Sequence, residues 1–467
     1  MRSSRLRAGL ALTGVLALCA CGPGPAPAPS PQAGPSTAAL SPSPAGPSTA
    51  VPSPSPAGPS GTPASPSPPV SVSVPAREVP RGTGSTLTDD VNGDGYADAV
   101  IVSERRERNR FLTVLYGSAG GLDPERRTVV EAGDGVLWTS GGSWRARRPD
   151  TADLDGDGFA DIPVLLRTEG DWPALRILWG GPLGPAEDGL SPVVPVPDAE
   201  RVTSDWPAAG DFDGDGHADL ALGIPDLSAS GSDGGGYVLL HGPFGREGAP
   251  RDTYVGQSPR TWWVVADRMA PGRRNMLVVH DGDDGEQTGA VILPRVPPAA
   301  RTYRLGPGNA IATGDFDGDG TVDVAVGDDG GRNDEPGYET LGETGAVTVH
   351  YGRAPETPVV MRVPRIRGKL TAGDVDGDGR DDLVLQSGDR VEVRTHGLST
   401  TRTLGELPCP PGKLPQFPVA VRAGDYDRDG RAEVLLNCWS YIFGPDPQRW
   451  WMWRADGPGV RFDTTGF

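Results

Sequence analysis

Residues 211–219 read Asp-Phe-Asp-Gly-Asp-Gly-His-Ala-Asp, a loop of acids and glycines that opens directly onto the apolar run Leu220-Ala221-Leu222. The pattern returns as DVNGDGYAD from Asp90, DLDGDGFAD from Asp153, DFDGDGTVD from Asp315, DVDGDGRDD from Asp374 and DYDRDGRAE from Asp425, with a degenerate copy, DRMAPGRRN, from Asp267. Successive starts lie 63, 58, 56, 48, 59 and 51 residues apart. A motif recurring at such a period signals a repeat architecture in which each unit is one small antiparallel sheet. Apolar positions after each loop (Leu220 and Leu222, Val324 and Val326, Leu383 and Leu385) predict half-buried strands. A further strand signal follows and closes on Gly117, Gly180, Gly242, Gly352 or Gly397. No long amphipathic helix is legible after residue 82. The expected fold is therefore all-β, a propeller of seven four-stranded blades.

The loop chemistry predicts a metal. In D-x-D-x-D-G-x-x-D the side chains at positions one, three and five converge, Gly at six permits the turn, the carbonyl at seven adds an oxygen, and the ninth acid can bind through both of its oxygens. Such an all-oxygen shell suits Ca²⁺ better than Mg²⁺, which keeps its waters. The expected ligands are Asp90, Asn92, Asp94, Tyr96 and Asp98; Asp153, Asp155, Asp157, Phe159 and Asp161; Asp211, Asp213, Asp215, His217 and Asp219; Asp315, Asp317, Asp319, Thr321 and Asp323; Asp374, Asp376, Asp378, Arg380 and Asp382; and Asp425, Asp427, Asp429, Arg431 and Glu433. That makes about six calcium sites. Blade four is expected to bind nothing, since Met269, Pro271 and Asn275 replace three acids. Blade seven is expected to bind more weakly, since Arg428 stands for Gly and Glu433 for Asp. Acidic turns without metal are the alternative, but several clustered carboxylates repel one another unless a cation is present.

Outside the repeats, Arg2, Arg5 and Arg7 precede an apolar stretch, Ala8 to Ala20, that is too short to span a bilayer. Residues 1–21 are thus an export leader. Its end, Leu18-Cys19-Ala20-Cys21, resembles a bacterial lipobox, which implies a lipidated Cys21 and a protein anchored outside the cytoplasmic membrane or at the cell surface. An ordinary secretory leader with an incidental Cys is the other reading. Residues 22–81, rich in Pro, Ala, Ser and Gly, are expected to be a disordered stalk, and residues 82–467 the propeller. Cys409 and Cys438 are a candidate disulfide in an oxidising compartment, against two buried thiols. The formal net charge is −19, and loss of a leader carrying three arginines leaves −22. Much of that acidity sits in the loops, so nucleic acid is not an expected partner.

The loop, the apolar run after it and the aromatic-Gly closure are similar to the FG-GAP repeats of integrin α-subunit propellers and of many bacterial surface proteins. That resemblance implies a ring of seven blades with the calcium loops on one face and ligands meeting the other. Sequence features assigned to that second face are Arg105, Arg106, Arg108 and Arg110, Trp138 and Trp144, Trp172, the insertion at 327–345, and Trp439, Tyr441 and Phe443. Of these, Trp172, Trp439 and Tyr441 are the candidate ligand-binding residues, with blade packing as the alternative role for each. The five histidines form no nucleophile-and-base set, and His241, His350 and His396 stand near third-strand ends in places held elsewhere by Tyr116, Trp179 and Tyr351, as expected of packing residues. Asp281, Asp283, Asp284 and Glu286 lack the loop register and read as a solvated turn. The expected function is a non-enzymatic surface module binding an extracellular protein or glycan. A polysaccharide-active enzyme and a passive envelope lipoprotein are the competing functions, and fold alone does not choose among them.

Overall fold

The structure is a computed structural model that describes most of residues 70–467. Residues 1–69 lie outside the description, as do 74–76, 105–109, 133–148, 168–172, 187, 198, 200, 201, 203–205, 225–234, 259, 260, 262, 281–288, 294–301, 330–344, 364, 365, 388, 389, 405–408, 410–415, 441–443 and 458. The leader, Cys21, Trp172 and Tyr441 are among these, with Arg105, Arg106, Arg108, Trp138, Trp144, Phe443 and the 281–286 acids.

Among the described residues the regular structure is strands, in seven antiparallel sheets that follow one another along the chain, and one 3-10 turn, Thr464–Gly466. The first holds β1 (Val70–Val72), β2 (Ala99–Glu104), β3 (Arg110–Leu115) and β4 (Arg127–Ala132). The second holds β5 (Ile162–Arg167) and β6 (Pro173–Leu178), flanked by single bridges, Ala152 to Asp161 and Leu178 to Leu190, where the third to seventh sheets carry their first and fourth strands. The third runs β7 (Ala208–Gly210), β8 (Asp219–Ile224), β9 (Gly235–His241), β10 (Asp252–Ser258). The fourth runs β11 (Trp263–Ala266), β12 (Leu277–His280), β13 (Gly289–Leu293), β14 (Tyr303–Pro307). The fifth comprises β15 (Ala310–Gly314), β16 (Asp323–Gly327), β17 (Ala346–His350) and β18 (Val359–Arg362). The sixth comprises β19 (Ile366–Gly373), β20 (Asp382–Ser387), β21 (Arg390–Thr395) and β22 (Thr400–Thr403). The seventh comprises β23 (Gln416–Gly424), β24 (Glu433–Ser440), β25 (Gly444–Trp453) and β26 (Val460–Asp463).

The core lies between sheets. Seven clusters of buried apolar side chains join each sheet to the next, and the last joins the seventh to the first, packing Ala97, Ile101 and Leu115 against Tyr426, Leu435, Trp450 and Met452. This β-propeller arrangement corrects one expectation. The strand after each loop is buried on both faces: Leu383 and Leu385 of β20 enter the cluster shared with the fifth sheet, while Val384 enters the one shared with the seventh. Alternation there divides the side chains between two neighbouring sheets and not between core and water.

Among the described residues, neither the first strand nor the last joins the other's sheet. β1 pairs with β4 at the outer edge of the first sheet, inside the stretch expected to be stalk, and β26 completes the seventh. Packing and a polar clasp close the ring instead. The buried Asp89 carboxylate, before the first loop, accepts a hydrogen bond of 2.6 Å from Arg422 on β23 and one of 3.2 Å from Arg268 of the fourth repeat. A central cavity of about 250 Å³ is lined from all seven repeats, including Thr88, Thr151, Ala209, Ala266, Thr313, Thr371 and Arg422.

Candidate metal-binding loops

Each acidic loop links the first strand position of its sheet to the second, and its own backbone shapes it. The first acid accepts the amide of the sixth residue, at 2.7 Å for Asp90 with Gly95 and 3.0 Å for Asp211 with Gly216. The fifth acid accepts the amide of the seventh residue, so Tyr96, Phe159, His217, Thr321, Arg380 and Arg431 bond to Asp94, Asp157, Asp215, Asp319, Asp378 and Asp429 at 2.8–3.1 Å. The sixth glycine has a φ of 81–94° in all six loops, the left-handed region where a side chain is strained. The fourth position repeats this for five glycines, and at Arg428 (φ 60°) for a residue with a Cβ.

The ninth acid locks the loop to the sheet. One oxygen accepts the amide of the second loop residue at 2.8–2.9 Å in all six loops. In four loops the other oxygen accepts the amide of the closing glycine, Gly117 with Asp98, Gly180 with Asp161, Gly242 with Asp219 and Gly352 with Asp323, at 2.8–2.9 Å. This explains the glycine that ends the third strand: a Cβ on Gly117 would lie 2.2 Å from the Ala97 carbonyl oxygen. Neighbouring loops are also joined, since the amides of Ala160, Asn275, Asp381 and Ala432 donate to the carbonyls of Asp90, Asp211, Asp315 and Asp374.

The loops thereby bring the first, third and ninth acids together. Ligand oxygens of Asp153, Asp155 and Asp161 lie within 4.8 Å of one another, as do those of Asp211, Asp213 and Asp219, of Asp315, Asp317 and Asp323, and of Asp374, Asp376 and Asp382. Burial pushes the ninth carboxyl up, to about 8 for Asp161, about 7 for Asp323, Asp382 and Glu433, and about 6 for Asp219. Asp98, fully buried, is also raised well above the usual range, chiefly by desolvation. Oδ1 of Asp382 is buried and accepts no hydrogen bond. Crowded carboxylates, one with an unsatisfied buried oxygen, fit a hard divalent cation, and the donors are all oxygen. A fifth acid also clusters in the sixth loop, where Asp378 lies with Asp376 and His396.

Models of known families match two stretches, the FG-GAP-like repeat over residues 370–436 and the FG-GAP repeat over residues 205–241. The chain carries FG-GAP repeats. Among solved structures it resembles that of BBS1N in complex with ARL6DN (11% identity, 77% of this chain and 91% of that one, TM-score 0.42). It also resembles the nidogen/laminin complex (11%, 66% and 93%, TM-score 0.34) and a puromycin hydrolase (16%, 77% and 61%, TM-score 0.30). Likenesses this distant say nothing of activity. No curated protein matches the chain.

The degenerate FG-GAP loop corrects the alignment read from sequence. In the third, fifth, sixth and seventh sheets the ninth acid pairs with the glycine before its loop, whereas in the fourth Ala266 pairs with Leu277. Leu277, not Asn275, therefore stands in the ninth place, and the loop is longer. Asp267, buried and pushed up by desolvation, holds Arg273 at 2.7 Å and accepts the amide of Met276. The side chain of Asn275 instead bridges Asp267 O and the amide of Asp211. A tethered guanidinium thus faces the carboxylate that elsewhere meets other acids.

Sequence reasoning also missed the basic side chains on the acidic loops. Arg246 contacts Asp155 (2.5 Å) and Asp157, Arg251 contacts Asp213 (2.5 Å) and Asp215, Arg353 contacts Asp319 (2.7 Å), Arg454 contacts Asp427, and His396 lies 3.2 Å from Asp376. The signal was available: each stands between the third and fourth strands of its sheet. His350 is a packing residue, buried, lowered by desolvation and donating from Nδ1 to Pro355 O. Cys409 and Cys438 are joined in a disulfide with Cα atoms 5.7 Å apart. Trp439 follows Cys438 on β24, and its side chain lies outside the described residues.

Proposed function

We propose that this FG-GAP protein is an exported, calcium-loaded, seven-bladed β-propeller that binds an extracellular protein or glycan and does not catalyse. The observation that carries the calcium assignment is the convergence of the first, third and ninth acids in four of the loops, with the ninth buried. Asp90, Asn92 and Asp98 and their counterparts through Asp425, Asp427 and Glu433 would hold the ions, and the cation would neutralise carboxylates that otherwise repel. Bound metal would stabilise the folded ring, since the unfolded chain has no such site. The seven-blade count is supported by seven sheets and seven inter-sheet clusters.

Surface location rests on the leader and its lipobox-like Cys21, with the lipid holding the stalk and propeller outside the membrane. Binding on the face opposite the loops, through Trp172, Trp439 and Tyr441, rests on the family resemblance. Screening the full-length protein against glycans and secreted proteins, with calcium and with EDTA, beside anionic polysaccharides as substrates, tests the reading. A calcium-dependent ligand lost on changing Trp172, Trp439 and Tyr441 to Ala is expected; depolymerisation of a polysaccharide would replace it with the enzyme reading.

A further inference from the structure

We infer that Arg246 and Arg251 are built-in competitors for the metal in the second and third loops, and that the single turn carrying both couples those loops; this rests on the calcium reading above. The turn, residues 242–251, joins β9 to β10. Its Phe244 amide donates to Leu154 O at 2.8 Å, fixing it to the second loop, while the Arg251 amide donates to His241 O in its own sheet. Arg246 then reaches back to Asp155 and Asp157, and Arg251 reaches Asp213 and Asp215.

The oxygens matter. Oδ1 of Asp155, Asp157, Asp213 and Asp215 each accepts a loop amide, at 3.2, 3.1, 3.1 and 2.9 Å. Each arginine holds the Oδ2 atoms, the oxygens that these loop amides leave open. A cation entering either loop through the third and fifth acids must therefore displace a guanidinium. These pairs are displaceable, because both arginines are partly exposed, at 52% and 38%, although Asp155 is itself only 8% exposed, and ion pairs open to water are weak. Asp267 and Arg273 show the opposite limit, a buried acid beside a cation that the chain itself supplies. In the first loop Asp94 Oδ2 meets only the neutral amide of Asn92, at 3.1 Å, and among the described residues no arginine contacts its carboxylates. Calcium at one loop frees one end of the turn, which leaves less to break when the second ion arrives.

Calorimetric titration of EDTA-stripped full-length protein with calcium tests this. Changing Arg246 and Arg251 together to Gln should tighten two of the ions by about fivefold each and remove the coupling between them. Arg251→Lys, which keeps the charge but not the two-pronged contact, should fall between wild type and Arg251→Gln. Arg362→Gln, an exposed change on β18, should leave the titration unaltered. Hydrogen exchange across 242–252 should rise on adding calcium to the wild type. Unchanged or weaker calcium binding in the Gln variants, or equal tightening by Arg362→Gln, overturns the inference while leaving calcium binding intact. A wild-type protein that takes up no calcium overturns both.

Discussion

Replacing Asp89 by Ala removes a carboxylate that ties Arg422 of the seventh repeat and Arg268 of the fourth to the first. Asp89 is 4% exposed and Arg422 5%. Two guanidinium nitrogens of Arg422, Nε and Nη1, already lack a hydrogen-bond partner, so losing Asp89 strips the third. Breaking a buried pair by removing one member costs about 3–5 kcal/mol, because the remaining charge stays desolvated. Asp150, which also acts on Arg422 electrostatically, places the expected loss near the lower end. Urea unfolding followed by circular dichroism, in calcium, reads the change. Asp89→Ala/Arg422→Met, which removes both charges, should recover most of the loss, since an apolar replacement for a buried pair is often neutral. A single variant within about 0.5 kcal/mol of wild type, the spread of ordinary surface changes, would refute the clasp. So would a double variant no more stable than the single.

Other outcomes follow from the loops. Gly117→Ala should destabilise by about 1–3 kcal/mol, because the new Cβ meets backbone oxygens of Ala97 and Tyr426 that cannot rotate away; an unchanged urea midpoint would count against it. Arg428→Gly should raise stability by about 1 kcal/mol by relieving a left-handed residue, and a fall would show that its contact with Gly95 O outweighs the strain. In EDTA the raised carboxyls set the pH dependence. Asp161, Asp323, Asp382 and Glu433 keep protons in the fold that the unfolded chain loses above about 4, so stability present at low pH is lost as pH rises toward about 7–8. Melting temperature in EDTA should fall from pH 5 to pH 8, and calcium should abolish the fall; a flat EDTA profile would remove the effect.

Much of this was legible in the chain because loop chemistry and sheet chemistry are local. Acids two residues apart, a left-handed glycine and an apolar run fix a loop and the strand it feeds, whatever surrounds them. The closing glycine was legible too, though its reason was not: it lies against the carbonyl of the residue before the ninth acid, an approach made by a strand many residues away. What the sequence hid depends on distance. The place of Leu277 comes from pairing across the fourth sheet, which spacing along the chain cannot show when a loop is extended. The contact of Arg246 with Asp155 joins different repeats, and the Asp89 clasp joins residues 333 apart. β1 was legible as a strand, since Val-Ser-Val alternates as an edge strand does, but its pairing with β4 and not with the last sheet was not.

The most direct test is the calcium content and melting of full-length protein before and after EDTA. Roughly six bound calcium ions, one for each intact acidic loop, are expected, with a large fall in melting temperature on their removal that returned calcium reverses. Protein that carries no calcium, and melts at the same temperature with and without EDTA, would contradict calcium as the cation that holds these loops together.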